Sequence, residues 1–260
     1  MKEKWKNEFE KLYNCHANED IIDKAFTREI EETNVLHEMN MNNPLFNSNN
    51  TLNRNFTIQE ISNIVSKSKN KKAAGIDGIP YEVYKNNVMK NILQKLFQLC
   101  FDTAKVPTLW RKTIICPIPK DKKNDPRIPT SYRGISLISC VAKLYSSLLN
   151  KRITDYLENE EKLTDEQNRF RKERSCLDHV FTLDSIVRNR LEKKEDTFAA
   201  FIDFQKPFDS INRDKLLHTI YKYGIDGKMY FAVKSLYVST EACVKINNLS
   251  TSWFEYKYGV

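Results

Sequence analysis

The chain has 260 residues, enough to bury a substantial core as one large domain or two modest ones. Hydrophobic residues at 40% and charged residues at 29% exclude wholesale disorder, and no apolar run approaches the roughly 20 residues that cross a bilayer. The formal net charge of +8 favours an anionic partner such as nucleic acid, because lysine and arginine gain affinity by displacing the counterions around phosphates.

From residue 1 to about 40 the pattern predicts helix, with Ile22, Phe26 and Ile30 at four-residue spacing. Met39 to Arg54 is rich in asparagine and carries Pro44, so it reads as a linker. Thr57-Ile58-Gln59-Glu60 is a capping-box pattern ahead of Ile61, Ile64 and Val65, which predicts a short amphipathic helix ending in the basic run Lys67 to Lys72. Gly75-Ile76-Asp77-Gly78-Ile79-Pro80 predicts a turn, with Pro80 opening a helix whose apolar side includes Leu93, Leu96, Phe97 and Cys100. Thr113 to Pro119 and Ser131 to Leu137 read as short strands joined by a charged loop, Asp121 to Pro129. Two amphipathic helices follow, one around Val141, Leu144, Leu148 and Tyr156, the other around Leu177, Val180, Phe181, Leu183, Ile186, Val187 and Leu191. Thr197 to Phe204 is nearly all apolar and predicts a buried strand that presents Asp203 at its tip. A helix from about Asp214 to Tyr223 is stopped by Gly224, and after one more helix Glu241 to Ile246 alternates as a strand that turns at Asn247-Asn248 toward Trp253 to Tyr258. Helices outnumber strands in an order that predicts an α+β fold.

Three stretches could carry chemistry. A carboxylate at a strand tip, Asp203, can hold a divalent metal with the next carbonyl, Phe204, as a second hard oxygen; its bland alternative is a cap for the following turn. Lys120, Lys122, Lys123, Arg127 and Arg133 crowd the loop between the strands, where arginine's two-pronged donors and lysine's point charge can bracket a triphosphate; a solvated charge run is the ordinary explanation. Phe170 to Ser175, with Arg171, Lys172 and Arg174, lies just ahead of a helix where a nucleic-acid backbone could be gripped. The six cysteines have no paired spacing, which indicates neither a disulfide framework nor a zinc site. The four histidines suggest no metal ligation or catalytic pair, and the serines lack a nucleophile elbow. An aspartyl-nucleophile reading of Ile202-Asp203-Phe204-Gln205 fails, because Gln205 stands where such sites need a second acid. Without a signal-peptide core, the expectation is a soluble protein of cytoplasm or nucleus with no membrane partner and no evident protein partner.

In order along the chain, these stretches resemble the reverse transcriptases of LINE-like non-LTR retrotransposons. Lys71 to Pro80 resembles the family's leading motif, and Trp110 with Ile115 to Lys120 the first fingers strand. Ser131 to Leu137 is similar to the second fingers motif, followed by Leu163 to Gln167, Phe170-Arg171 and Ser175 to His179, then the metal-binding palm motif at Phe201 to Asp209. The resemblance implies right-hand polymerase fingers with a partial palm: a helical extension and linker over 1–55, fingers over 56–195 and palm over 196–260. It implies Asp203 as catalytic, Asp203 and Phe204 as Mg2+ ligands, and Lys120, Arg133, Phe204, Gln205 and Phe208 as nucleotide contacts, with Phe208 the gate against a ribose 2′-hydroxyl. The implied partners are an RNA template, a DNA primer and deoxynucleoside triphosphates, with Arg171, Lys172 and Arg174 toward nucleic acid; Trp5 to Phe9 resembles the region ahead of the polymerase.

There are departures. The family's second carboxylate pair lies in an Asp-Asp box, and this chain contains no Asp-Asp. Tyr258-Gly259-Val260 resembles the opening of the next motif, so a catalytically incomplete fragment is expected. Pro207 stands where alanine is usual, and Asn168-Arg169 and Glu173 stand where glycine is common, which predicts strained turns. The competing expectation is a basic RNA- or DNA-binding remnant without metal chemistry.

Overall fold

The computed structural model describes residues 2–14, 27–33, 35, 50–121, 125, 127–204, 206–247 and 249–260. In chain order these form α1 (Lys2–Asn14), helical residues 27–33, one turn at Asn50–Asn53, α2 (Ile58–Lys67), α3 (Tyr81–Tyr84), α4 (Asn87–Thr103), β1 (Lys112–Pro119), β2 (Tyr132–Leu137), α5 (Cys140–Asn159), α6 (Cys176–Glu192), α7 (Arg213–Lys222), α8 (Gly227–Tyr237), β3 (Glu241–Ile246), β4 (Leu249–Ser250) and β5 (Phe254–Glu255). The fold is mixed α+β and rich in helix. Two compact units are present, residues 1–154 with 207–260, and residues 155–206.

In the first unit, β1 and β2 form an antiparallel hairpin in which Ile118 faces Arg133 and Pro119 faces Tyr132. β3 joins β1 in parallel, pairing Thr113 with Ala242 and Ile115 with Val244, and β4 and β5 pair antiparallel with β3. The Lys112–Glu241 ion pair at 2.7 Å fixes the parallel register at its first step. Because side chains alternate along a strand, Ile115, Tyr132, Gly134, Ala242 and Val244 share one face. Trp5, Phe9 and Tyr13 of α1, at four-residue spacing, close a core against that face. Gly134 is required there, since a Cβ would lie 2.8 Å from the Phe9 ring.

In the same unit, α2, α4 and α5 enclose Ile61, Val65, Leu93, Phe97, Phe101, Tyr145 and Leu148, all almost fully buried. The expected capping box is present: the Thr57 hydroxyl accepts from Glu60 N, and Glu60 accepts from Thr57 N. Arg152 of α5 crosses to Glu60 at 2.8 and 3.0 Å and donates to the carbonyls of Leu52, Arg54 and Asn55. The end of the expected linker is therefore core: Leu52 is buried, and Asn53 bonds Asp226 Oδ1 and the Met229 amide. Residues 36–49, with Ile22 and Phe26, lie outside the described residues.

Two helix expectations shift. Pro80 precedes α3 rather than opening the long helix, because the Asn86 side chain caps Val88 N and starts α4 separately. Gly224, at φ +84, ends α7 as expected.

The second unit departs further from its sequence pattern. α6 forms, capped by Ser175 and Asp178, but none of its residues is buried. Residues 195–204 are irregular and exposed, with Phe198 and Phe201 at 94% and 86%. The predicted buried strand is thus not formed: a strand needs neighbouring backbone to satisfy its N–H and C=O groups, and no ladder reaches this segment among the described residues. Of the positions expected in strained turns, Glu173 has φ 60, whereas Asn168 and Arg169 do not have positive φ; Phe170, not among them, has φ 66.

Candidate functional site

Lys120 and Arg133 sit at the far end of the β1–β2 hairpin, where Lys120 N donates to Ser131 O at 2.9 Å. Arg133 is opposite Ile118, and Lys120 lies two residues beyond Ile118, so the period of two sends both cations out of the sheet face opposite α1. Both are exposed. The loop residues Lys122 and Lys123 lie outside the described residues, and Arg127 is engaged by Asp125 through two bonds at 3.0 Å.

The leading glycine motif proves to be architectural. Gly75 lies against the backbone just after β2, where a Cβ would come within 2.4 Å of Ile138 C and Ser139 N. Asp77 accepts from Ile79 N at 3.2 Å and from the Ser139 hydroxyl. The motif therefore fastens the chain ahead of α3 to the start of α5.

The first unit also brings together two stretches far apart in sequence. Val260 N donates to Phe208 O at 3.1 Å, Gly259 N to Ile211 O at 2.9 Å, and Tyr258 N to Tyr13 O at 3.3 Å. Gly259 has φ +88, and a Cβ there would meet the Phe208 carbonyl at 3.2 Å and Asp209 at 3.3 Å. Only glycine suits both the conformation and the approach. Arg213, 8% exposed, secures the same segment by donating to Gly259 O, Tyr256 O and the Thr240 hydroxyl. Burial pushes the Tyr13 hydroxyl up to about 12, reinforced by the nearby charge of Asp209 and by Tyr256.

The model of the family described as reverse transcriptase (RNA-dependent DNA polymerase) matches residues 118–259, more than half of the chain. The chain belongs to the reverse transcriptase family. It is similar to the Probable RNA-directed DNA polymerase from transposon BS of Drosophila melanogaster, 28% identical over 193 residues, covering 74% of this chain and 21% of that protein. It is 24% identical over 199 residues to the RNA-directed DNA polymerase from mobile element jockey of the same fly, covering 75% and 21%. The Transposon TX1 uncharacterized 149 kDa protein of Xenopus laevis matches at 24% over 208 residues, 78% of this chain and 15% of the relative. These relatives place it with the reverse transcriptases of non-LTR retrotransposons, and the chain spans about a fifth or less of their length.

Asp203 and Phe204 belong to the second unit and are exposed; Gln205 lies outside the described residues; Phe208 belongs to the first unit. Arg171 does not present a free guanidinium. It donates to Glu158 at 3.0 and 2.8 Å and to Thr164 O at 2.7 Å, with its side chain 10% exposed, and works as an internal clamp. Lys172 stays at the surface beside Glu173, and Arg174 reaches Asp165 Oδ1 at 2.7 Å.

No group of three His, Cys, Asp or Glu side chains able to hold a metal occurs among the described residues. One carboxylate and one carbonyl at 203–204 fall short of the near-octahedral oxygen set that magnesium demands. The described donor set therefore does not by itself fit a magnesium ion. The contributions that sequence reading missed, Arg213, Tyr13 and Tyr256, lie far from Gly259 in sequence or pass for ordinary surface residues.

Proposed function

We propose that this region supplies the fingers and the first palm carboxylate of an RNA-directed DNA polymerase acting on an RNA template, a DNA primer and deoxynucleoside triphosphates. The observation that carries this reading is the backbone contact between Phe208, the expected gate, and Tyr258-Gly259-Val260, the start of the expected base-seating motif. A gate must lie beside the residues that hold the base whose sugar it screens. In this reading Lys120 and Arg133 take the triphosphate, Phe204 and Gln205 contact the nucleotide, and Asp203 with the Phe204 carbonyl contributes two ligands to a Mg2+ whose other ligands lie elsewhere in a longer polymerase. Lys172 and Arg174 take phosphates of the nucleic acid, a weaker sequence-independent contribution.

A second reading is a basic RNA- or DNA-binding region without metal chemistry, favoured by the exposed, unclustered carboxylate of Asp203. Equilibrium binding of a deoxynucleoside triphosphate with and without Mg2+ separates the two. The polymerase reading expects Mg2+ to tighten binding and Asp203→Ala to abolish that increment. Binding of RNA that proceeds while Mg2+ leaves nucleotide affinity unchanged would support the second reading and defeat the first.

A further inference from the structure

Residues 197–204 leave α6 on a fixed heading. Glu195 N donates to Arg190 O at 2.9 Å and Lys194 N to Leu191 O at 3.0 Å, with Lys194 at φ 57, the paired bonds of a Schellman turn. The run that follows, Thr197-Phe198-Ala199-Ala200-Phe201-Ile202-Asp203-Phe204, carries a single charge, Asp203. Its Phe198, Phe201, Ile202 and Phe204 are 75–94% exposed. No backbone hydrogen bond joins the run to any strand or loop among the described residues. Apolar residues with open N–H and C=O groups are a template for pairing with another chain.

The alternation of this run is self-complementary. With a period of two, Phe198, Ala200, Ile202 and Phe204 share one face, all apolar, and Asp203 falls on the other. An antiparallel pairing of two copies centred on Phe201 sets Phe198 against Phe204 and Ala200 against Ile202. Every cross-strand pair on that face is then apolar, and each Asp203 meets Ala199 rather than a like charge. Such a register is two-fold symmetric, as an isologous interface requires.

The available area matches what a dimer needs. Phe181, Phe198, Phe201 and Phe204 alone offer roughly 500–800 Å² at their observed exposures, against the roughly 800 Å² that each partner gives to a stable interface. Leu177, Val180 and Leu191 of α6, exposed at helical spacing, enlarge it.

We propose that two copies of this chain associate through the second unit, residues 197–204 pairing as antiparallel strands across a two-fold axis and the apolar face of α6 packing beside them. The pairing supplies the neighbouring backbone that lets an apolar run become a strand. The association needs neither nucleotide nor metal, so it stands apart from the polymerase reading.

The test is sedimentation equilibrium of the whole chain up to about 100 μM, beyond the weak end of the affinities that interfaces of this size reach, with hydrogen exchange read on the same samples. A monomer–dimer equilibrium is expected, in which alternate amides of residues 198–204 are protected in the dimer and exchange freely on dilution. Ile202→Lys should weaken dimerisation at least about tenfold. Leu99→Lys, at an exposed leucine of α4, should leave it unchanged. A chain that stays monomeric overturns the proposal: unprotected amides would then leave the face to a different polypeptide, and protected ones would put its cover within the same chain. It is equally overturned by a dimer whose 198–204 amides exchange freely, by assemblies that grow beyond the dimer, by an Ile202→Lys chain that dimerises as well as the original, or by loss of the dimer in Leu99→Lys.

Discussion

Replacing Arg152 with methionine probes the joint that holds residues 50–67 to α5. The side chain is 5% exposed, makes two bonds to Glu60 and three to backbone carbonyls, and lies 4.3 Å over the Phe56 ring. Methionine roughly keeps the volume, so the cavity contribution is small and the loss is chiefly electrostatic: the Glu60 carboxylate keeps Arg54 and Thr57 but loses its buried guanidinium, and three carbonyls lose this donor. Leaving partly buried acceptors short of a donor costs about 1–3 kcal/mol, which for a chain of this size lowers Tm by roughly 2–12 °C. Urea unfolding followed by tryptophan fluorescence reports on this joint, because Trp5, Trp110 and Trp253 all belong to the first unit. The expected result is a lower midpoint with an unchanged slope. A loss below about 1 kcal/mol, the scale of an exposed ion pair, would refute the view that this guanidinium organises the segment.

Further outcomes follow from the same geometry. Burial alone would raise the Glu60 carboxyl, but bonds from Arg152 and Thr57 and the Arg152 charge outweigh it and bring it from 4.5 to about 2; the associated stability is fully present above pH 4.5 and is lost as pH falls toward 2. Unscreened, that shift is at most about 3 kcal/mol, which partial exposure reduces to about 1–2 kcal/mol, and Glu60→Gln should flatten the acid limb of a stability-versus-pH curve. Gly75→Ala should cost roughly 1–3 kcal/mol or more in urea unfolding, because backbone rather than a flexible side chain blocks the added methyl. Gly259→Ala should cost about 1–3 kcal/mol from the positive φ and raise hydrogen exchange at the Val260 amide; unchanged exchange would show that the Phe208 contact does not depend on this glycine. Lys120→Ala and Arg133→Ala should each weaken triphosphate binding about tenfold or more while leaving the unfolding midpoint within about 0.5 kcal/mol.

Sequence by itself determined the elements whose signals are local: the Thr57 capping box, the two hairpin strands, the Gly224 stop and the alternating Glu241 to Ile246 strand. Each depends on neighbours within a few residues, where spacing and turn chemistry are decisive. The order of motifs likewise carried the reverse-transcriptase family. Only the tertiary structure decided what is built from residues far apart: the parallel pairing of β1 with β3, the closure of α1 on the sheet, Arg152 on Glu60, and Arg213 beneath Gly259. It also withheld the strand expected at 197–204, although that run is as apolar as any in the chain. Apolar composition makes burial favourable, but a strand exists only where other backbone groups complete its hydrogen bonds, and no local pattern states where that backbone comes from.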